Sequence, residues 1–146
     1  MKIDGARISR YLMEIKKSGA ELEMLVTKNG LSPDTIELKA AKYLLIELAE
    51  GISNTLQHIL AKEKGLPVNG YIDTIVKGHK HGLVSGDLFH KLKPFFDFRN
   101  SLVHRYWTID DERLIQNIEN GCRYFETFVD QIEIHIRSAT GEDVDG

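Results

Sequence analysis

Apolar residues return every three or four positions along most of the chain, which is the period of a helix that buries one face. Ile8, Leu12, Ile15, Gly19, Leu22 and Val26 form the first such stripe. They predict an amphipathic helix over residues 4–27, closed by the turn signal Asn29-Gly30. Ser32-Pro33 then reads as a cap followed by proline at the first helical position, and Leu38, Ala41, Leu45, Leu48, Ile52, Leu56 and Ile59 carry a second helix to Lys64. Leu44, Ile46, Ala49 and Leu60 widen its apolar arc, so this helix should be the most buried, and Gly65-Leu66-Pro67 breaks it.

Tyr71, Ile72, Ile75 and Val76 predict a short helix within residues 70–80, and Ser85 reads as the cap of another that begins near Asp87. Pro94 falls inside that element. It removes a backbone hydrogen bond and crowds the preceding turn, so a kink or fresh start is expected near Lys93, with residues 95–104 forming their own helical piece. Ile115, Ile118, Cys122, Phe125, Val129, Ile132 and Ile136 hold one seam and predict a single last helix over residues 110–137. No useful strand-period stretch and no internal repeat interrupts this pattern. The expected fold is all-α, a four- to five-helix up-and-down bundle, as one helical domain over residues 1–137 with an acidic, flexible tail at 138–146.

Composition narrows the class. The chain has 146 residues, the size of one ordinary domain, and its 42% hydrophobic content suits a packed core rather than a disordered chain. Cys122 is the only cysteine, so no intrachain disulfide is possible and nothing points to an oxidising compartment. The charged start, with Lys2, Asp4, Arg7 and Arg10, is unlike a signal peptide, and no window approaches a membrane span. A cytoplasmic protein without membrane contact is expected. The net charge of -3 taken whole argues against a nucleic-acid partner. Its distribution argues otherwise: residues 77–107 hold Lys77, Lys80, Lys91, Lys93, Arg99 and Arg105 against only Asp87 and Asp97. On charge alone this is equally the solvated face of a helix.

Chemistry concentrates between Phe95 and Trp107. On a helical wheel Arg99 shares an apolar stripe with Phe98 and Leu102. A buried, unpaired guanidinium is very costly, so Arg99 must meet an acid such as Glu47 or Glu50 on the second helix, or open into a cleft or subunit interface. His104 lies five residues on, about 140° around an ideal helix, so the two side chains converge only if the helix ends near Val103. His79, His81 and His90 cluster in sequence without Cys or acidic ligands at a metal-site spacing, and no metal or cofactor is expected. His58 reads as a polar residue at the end of the bundle. Trp107, Phe95, Phe96 and Phe98 read as core or dimer contacts.

Arg99-Asn100 followed by Leu102-Val103-His104-Arg105-Tyr106 resembles the Arg-x-x-x-x-His-x-Tyr signature of the HepT-like toxins of the HEPN superfamily. The run His58 to Pro67 and the acidic Asp110-Asp111-Glu112 after the motif are similar to that family too, over residues 5 to 135. Asn54 departs from it, because the family often has an acid four positions before the His58 equivalent. The resemblance implies a metal-independent endoribonuclease, homodimeric, whose Tyr106 receives AMP from an MNT-type nucleotidyltransferase antitoxin.

Such chemistry needs a base for the 2′-OH proton, an acid for the leaving 5′-oxygen and positive charge on the transition state. His104 suits both proton-transfer roles, since imidazole titrates near pH ~6.5. Arg99 suits the phosphate, and Asn100, one turn before His104, is placed to orient it. Lys93 and Arg105 are the candidate RNA-binding cations beside this motif. One histidine cannot be base and acid in a single step, which gives a physical reason for a dimer with both motifs near the two-fold axis. The competing reading is a non-catalytic helical module that binds a nucleotide, or the nucleotidyltransferase alone, with Arg99 as a phosphate anchor.

Overall fold

The structure, a computed structural model, describes the backbone of residues 2–105 and 109–140 and the side chains of residues 2–102 and 109–139. Six helices follow one another: α1 (Gly5–Lys28), α2 (Ile36–Lys64), α3 (Tyr71–Lys80), α4 (Gly86–Arg105), α5 (Asp111–Gly121) and α6 (Tyr124–Thr140). The all-α bundle is as expected, with six helices in place of four or five. α1 packs along α2 and α6, and α4 lies against α2, α5 and α6. α2 carries the largest buried face, from Leu38 through Leu60, as its wide apolar arc predicts.

The two ends of α2 obey local chemistry. Ser32 does not cap it. Pro33 and Asp34 form a turn instead, with Asp34 at φ 60, and Thr35 is the cap: its hydroxyl accepts from the Leu38 N–H at 3.1 Å and donates to the Ser32 carbonyl at 2.7 Å. At the other end Gly65 is left-handed (φ 63), which lets its N–H reach the Ala61 carbonyl and the Leu66 N–H reach Leu60, both at 3.1 Å. Ser85 does cap α4, accepting from the Leu88 N–H at 3.2 Å, and Gln131 of α6 grips it from the side through two further hydrogen bonds.

Two expected boundaries are corrected. α4 runs through Pro94 without a break. An interior proline costs about 3 kcal/mol. Leu88, Leu92, Phe95, Phe96 and Phe98 are all buried along the same helix, and at about 1.5–3 kcal/mol each they outweigh that cost. The carbonyl deprived of its partner belongs to the exposed His90, where water can serve it. The expected single last helix, in contrast, divides at Cys122 and Arg123 into α5 and α6. Cys122 keeps helical torsions (φ -60, ψ -25) and its N–H bonds the Ile118 carbonyl at 2.9 Å, so the three- and four-step apolar seam passes through the turn unbroken. Periodicity is blind to such a turn. The break lets the backbone at Gly121 approach Phe95, where a Cβ would stand 2.9 Å from the ring. α6 then continues to Thr140, beyond the expected Arg137, and the rest of the predicted tail lies outside the described residues.

His58 is buried in α2 and is used structurally. Its Nε2 accepts from the backbone N–H of Asp4 at 3.0 Å, pinning the start of α1 to α2. Burial, seconded by the charge of Arg7, pushes the imidazole below its ordinary value of 6.5. A base whose folded value is depressed gives stability that is complete above the unfolded value and lost as pH falls through the folded one. The urea midpoint of the protein is therefore expected to drop as pH is lowered from 6.5, and His58→Gln, which keeps a side-chain acceptor without titrating, should lose part of that dependence. Identical pH profiles for the two proteins would remove the Asp4–His58 bond as its source.

Candidate functional site

Phe98 anchors the middle of α4 in the core, and the next residue, Arg99, emerges where α4 meets α2 and α3. Of the two carboxylates expected to meet it, Glu50 does so. Arg99 donates from Nε at 3.2 Å and from Nη2 at 3.1 Å to the same oxygen, Glu50 Oε1. Glu47, one turn earlier, instead accepts from the Ser18 hydroxyl at 3.5 Å. The flat guanidinium also lies over the Tyr71 ring, 4.3 Å from its centroid, and Tyr71 in turn meets Phe96 edge-on at 6.3 Å. Burial above all holds the Tyr71 phenol well above its usual range, against the opposing charge of Arg99. Its hydroxyl has no hydrogen-bond partner among the described residues, so Tyr71 serves here through its ring.

The pair is not sealed. Arg99 keeps 21% of its side-chain surface and Glu50 47%, and both line a cavity of about 190 Å³ with Asn54 and Gln57 of α2. Among the described residues nothing takes the Nη1 group of Arg99. A guanidinium fixed by a carboxylate on one edge and a ring on one face, with its other edge unoccupied among the described residues, can take an anion such as a phosphate.

α4 continues through Arg105, so the helix does not end near Val103 as convergence of Arg99 and His104 within one chain requires. On a continuous helix the two positions stand about 140° apart. The side chains of His104 and Arg105, and Tyr106 altogether, lie outside the described residues. Asn100 is half-buried on α4 beside Arg99. Lys93 is exposed and pairs with Asp97 at 2.8 Å. The basic segment as a whole is more neutral than its composition: Lys77 holds Asp73, Lys91 holds Asp87, Lys93 holds Asp97 and Arg99 holds Glu50. His79 stacks on Phe89, with ring centroids 4.6 Å apart, and its Nδ1 lies 3.1 Å from the Val84 carbonyl. No three His, Cys, Asp or Glu side chains gather at metal-binding range among the described residues. None of the described helices is long and apolar enough to cross a membrane.

Sequence reasoning missed Tyr71 and Gln57 and met Asn54 only as a departure. Tyr71 read as one apolar position of a short helix, and nothing in the local pattern signals that its ring faces a cation 28 positions away. An arginine forced to the edge of a core was the one usable signal that an aromatic or acidic companion had to exist.

A bundle of this kind has the HEPN fold, as its structural neighbours show. YutE from Bacillus subtilis, a cytosolic protein of unknown function, superposes with a TM-score of 0.79 at 18% identity, over 96% of this chain and 95% of that one. The tri-AMPylated HEPN toxin of Shewanella oneidensis, solved in complex with an MNT antitoxin, gives 0.76 at 17% identity, over 87% and 96%. A toxin–antitoxin crystal structure with AMP-PNP gives 0.75 at 17% identity, over 86% and 96%. No curated protein sequence matches the chain. The chain belongs to the HepT-like family: the sequence model described as Ribonuclease HepT-like matches residues 8–132.

Proposed function

We propose that this protein is a metal-independent endoribonuclease toxin of a HEPN/MNT pair, active as a cytoplasmic homodimer. The observation that carries this reading is Arg99: a cation held on the motif-bearing helix by Glu50 and Tyr71, at the mouth of an open cavity, with Nη1 unused among the described residues. Arg99 takes the scissile phosphate. His104 of one chain removes the 2′-OH proton, the 2′-oxygen attacks phosphorus, and the 5′-oxygen leaves with a proton from the second His104. Asn100 orients His104, and Lys93 and Arg105 contact the RNA backbone. The position of His104 on a continuous helix, five residues and about 140° around from Arg99, supports pairing across a two-fold axis over convergence within one chain.

Tyr106 is the regulatory residue. An MNT-type nucleotidyltransferase transfers AMP to its hydroxyl, and a bulky anion at that position repels and blocks RNA. The test begins with unmodified protein and RNA in the presence of a chelator. A dimeric solution mass and shortened RNA are expected. A monomer, or RNA left intact, would favour the non-catalytic module that binds a nucleotide or the transferase alone. With an active partner and ATP, the wild type should gain AMP and fall silent while Tyr106→Phe keeps cutting. A fully silenced Tyr106→Phe would take the regulatory role from this residue.

A further inference from the structure

We propose that the cavity beside Arg99 is a nucleobase pocket that selects adenine next to the scissile phosphate. This rests on the ribonuclease reading above. At about 190 Å³ the cavity is smaller than pockets that enclose whole ligands, roughly 300–1,000 Å³, so it suits one ring system and not an entire nucleotide. Its chemistry is that of base-edge recognition. Glu50, Asn54 and Gln57 follow one another at steps of four and three on α2, which puts them on one helical face, and all three line the cavity. Asn54 and Gln57 are exposed, and neither amide is engaged by another described residue. Each therefore offers donors and an acceptor to a ligand. Val68 of the α2–α3 connection supplies an apolar edge for a ring.

The choice of base follows from charge and donor pattern. A side-chain amide matches the N6 donor and N7 acceptor of adenine. Glu50 gives Oε1 to Arg99, and its Oε2 has no partner among the described residues, so the carboxylate can accept from an exocyclic amino group. Uracil puts a carbonyl oxygen at that position, and guanine puts one beside its N7, so that on the edge read by the amide both face the carboxylate with a like partial charge; the amino group of guanine lies on the opposite edge. Cytosine keeps an amino group but lacks N7 and fills less of the cavity. Arg99 forms part of the same wall, so a base held on α2 leaves its own phosphate within reach of Nη1. Readout of this kind requires an unstacked base, as in single-stranded RNA.

The experiment is a titration of the unmodified chain with adenosine 3′-monophosphate and with uridine 3′-monophosphate, which needs no turnover. The adenine nucleotide is expected to bind about tenfold tighter or more, and Asn54→Ala with Gln57→Ala should bring the two within about twofold of each other. Both positions are exposed, so an unchanged melting midpoint should accompany the variant. Equal affinities in the wild type, no binding of either nucleotide, or a preference that survives the double substitution would overturn the pocket. Mapping cleavage in a mixed-sequence RNA separates this from the parent reading. If the protein is no ribonuclease, RNA stays intact while the mononucleotide preference persists. If only the pocket is wrong, RNA is cut with no adenine preference that depends on Asn54 and Gln57.

Discussion

His104→Ala is expected to lower RNA cleavage by about 10²–10⁴-fold and to leave RNA affinity nearly unchanged. Proton transfer acts on the 2′-oxygen and the leaving 5′-oxygen in the transition state, whereas ground-state affinity comes from phosphate and base contacts. The loss should therefore appear in kcat, with KM almost constant. In a dimer the two histidines titrate as a coupled pair, so the wild type should follow a bell-shaped pH profile that collapses in the variant. Mixed dimers with one His104→Ala chain sharpen the expectation, because each cleft then lacks either its base or its acid. Full activity in those mixed dimers, or retained cleavage in the homodimeric variant, would remove His104 from the chemistry.

Arg99→Ala should damage binding and turnover together, with the rate falling by about 10²–10³-fold, the scale seen when one donor to a developing anion is removed. The fold should survive. Glu50 loses its partner, but half of its side chain is already open to solvent, so no carboxylate is stranded in the core. Arg99→Lys should rescue little. The guanidinium uses Nε and Nη2 on Glu50 while lying flat on Tyr71, and this arrangement leaves Nη1 for a phosphate. An ammonium is a point charge that can satisfy Glu50 or a phosphate, but not both while stacked on a ring. A fully active Arg99→Lys protein would show that charge alone matters and that the Glu50–Tyr71 cradle is incidental.

The amino-acid sequence by itself determined the helical identity of nearly every segment. The stripes from Ile8 to Val26 and from Leu38 to Leu60 became α1 and α2, and Ser85 capped α4, because helix periodicity and capping act within a few residues. It also required that Arg99 meet an acid or open into a cleft or interface, since a guanidinium among Phe98 and Leu102 is too costly when buried alone. Where strictly local rules were applied to a proline or to an unbroken seam, they failed. Burial on both sides of Pro94 carried α4 through it, and the last helix divided at Cys122 and Arg123 within an apolar seam whose spacing concealed the turn. Tertiary structure alone decided that Glu50, not Glu47, meets Arg99, that Tyr71 lies beneath it, and that Asn54 and Gln57 share its cavity. These residues come from three helices, and Arg99 and Glu50 are 49 positions apart in the chain. Their meeting depends on the crossing of α4 over α2, which the packing of the whole core sets and no short stretch of sequence encodes.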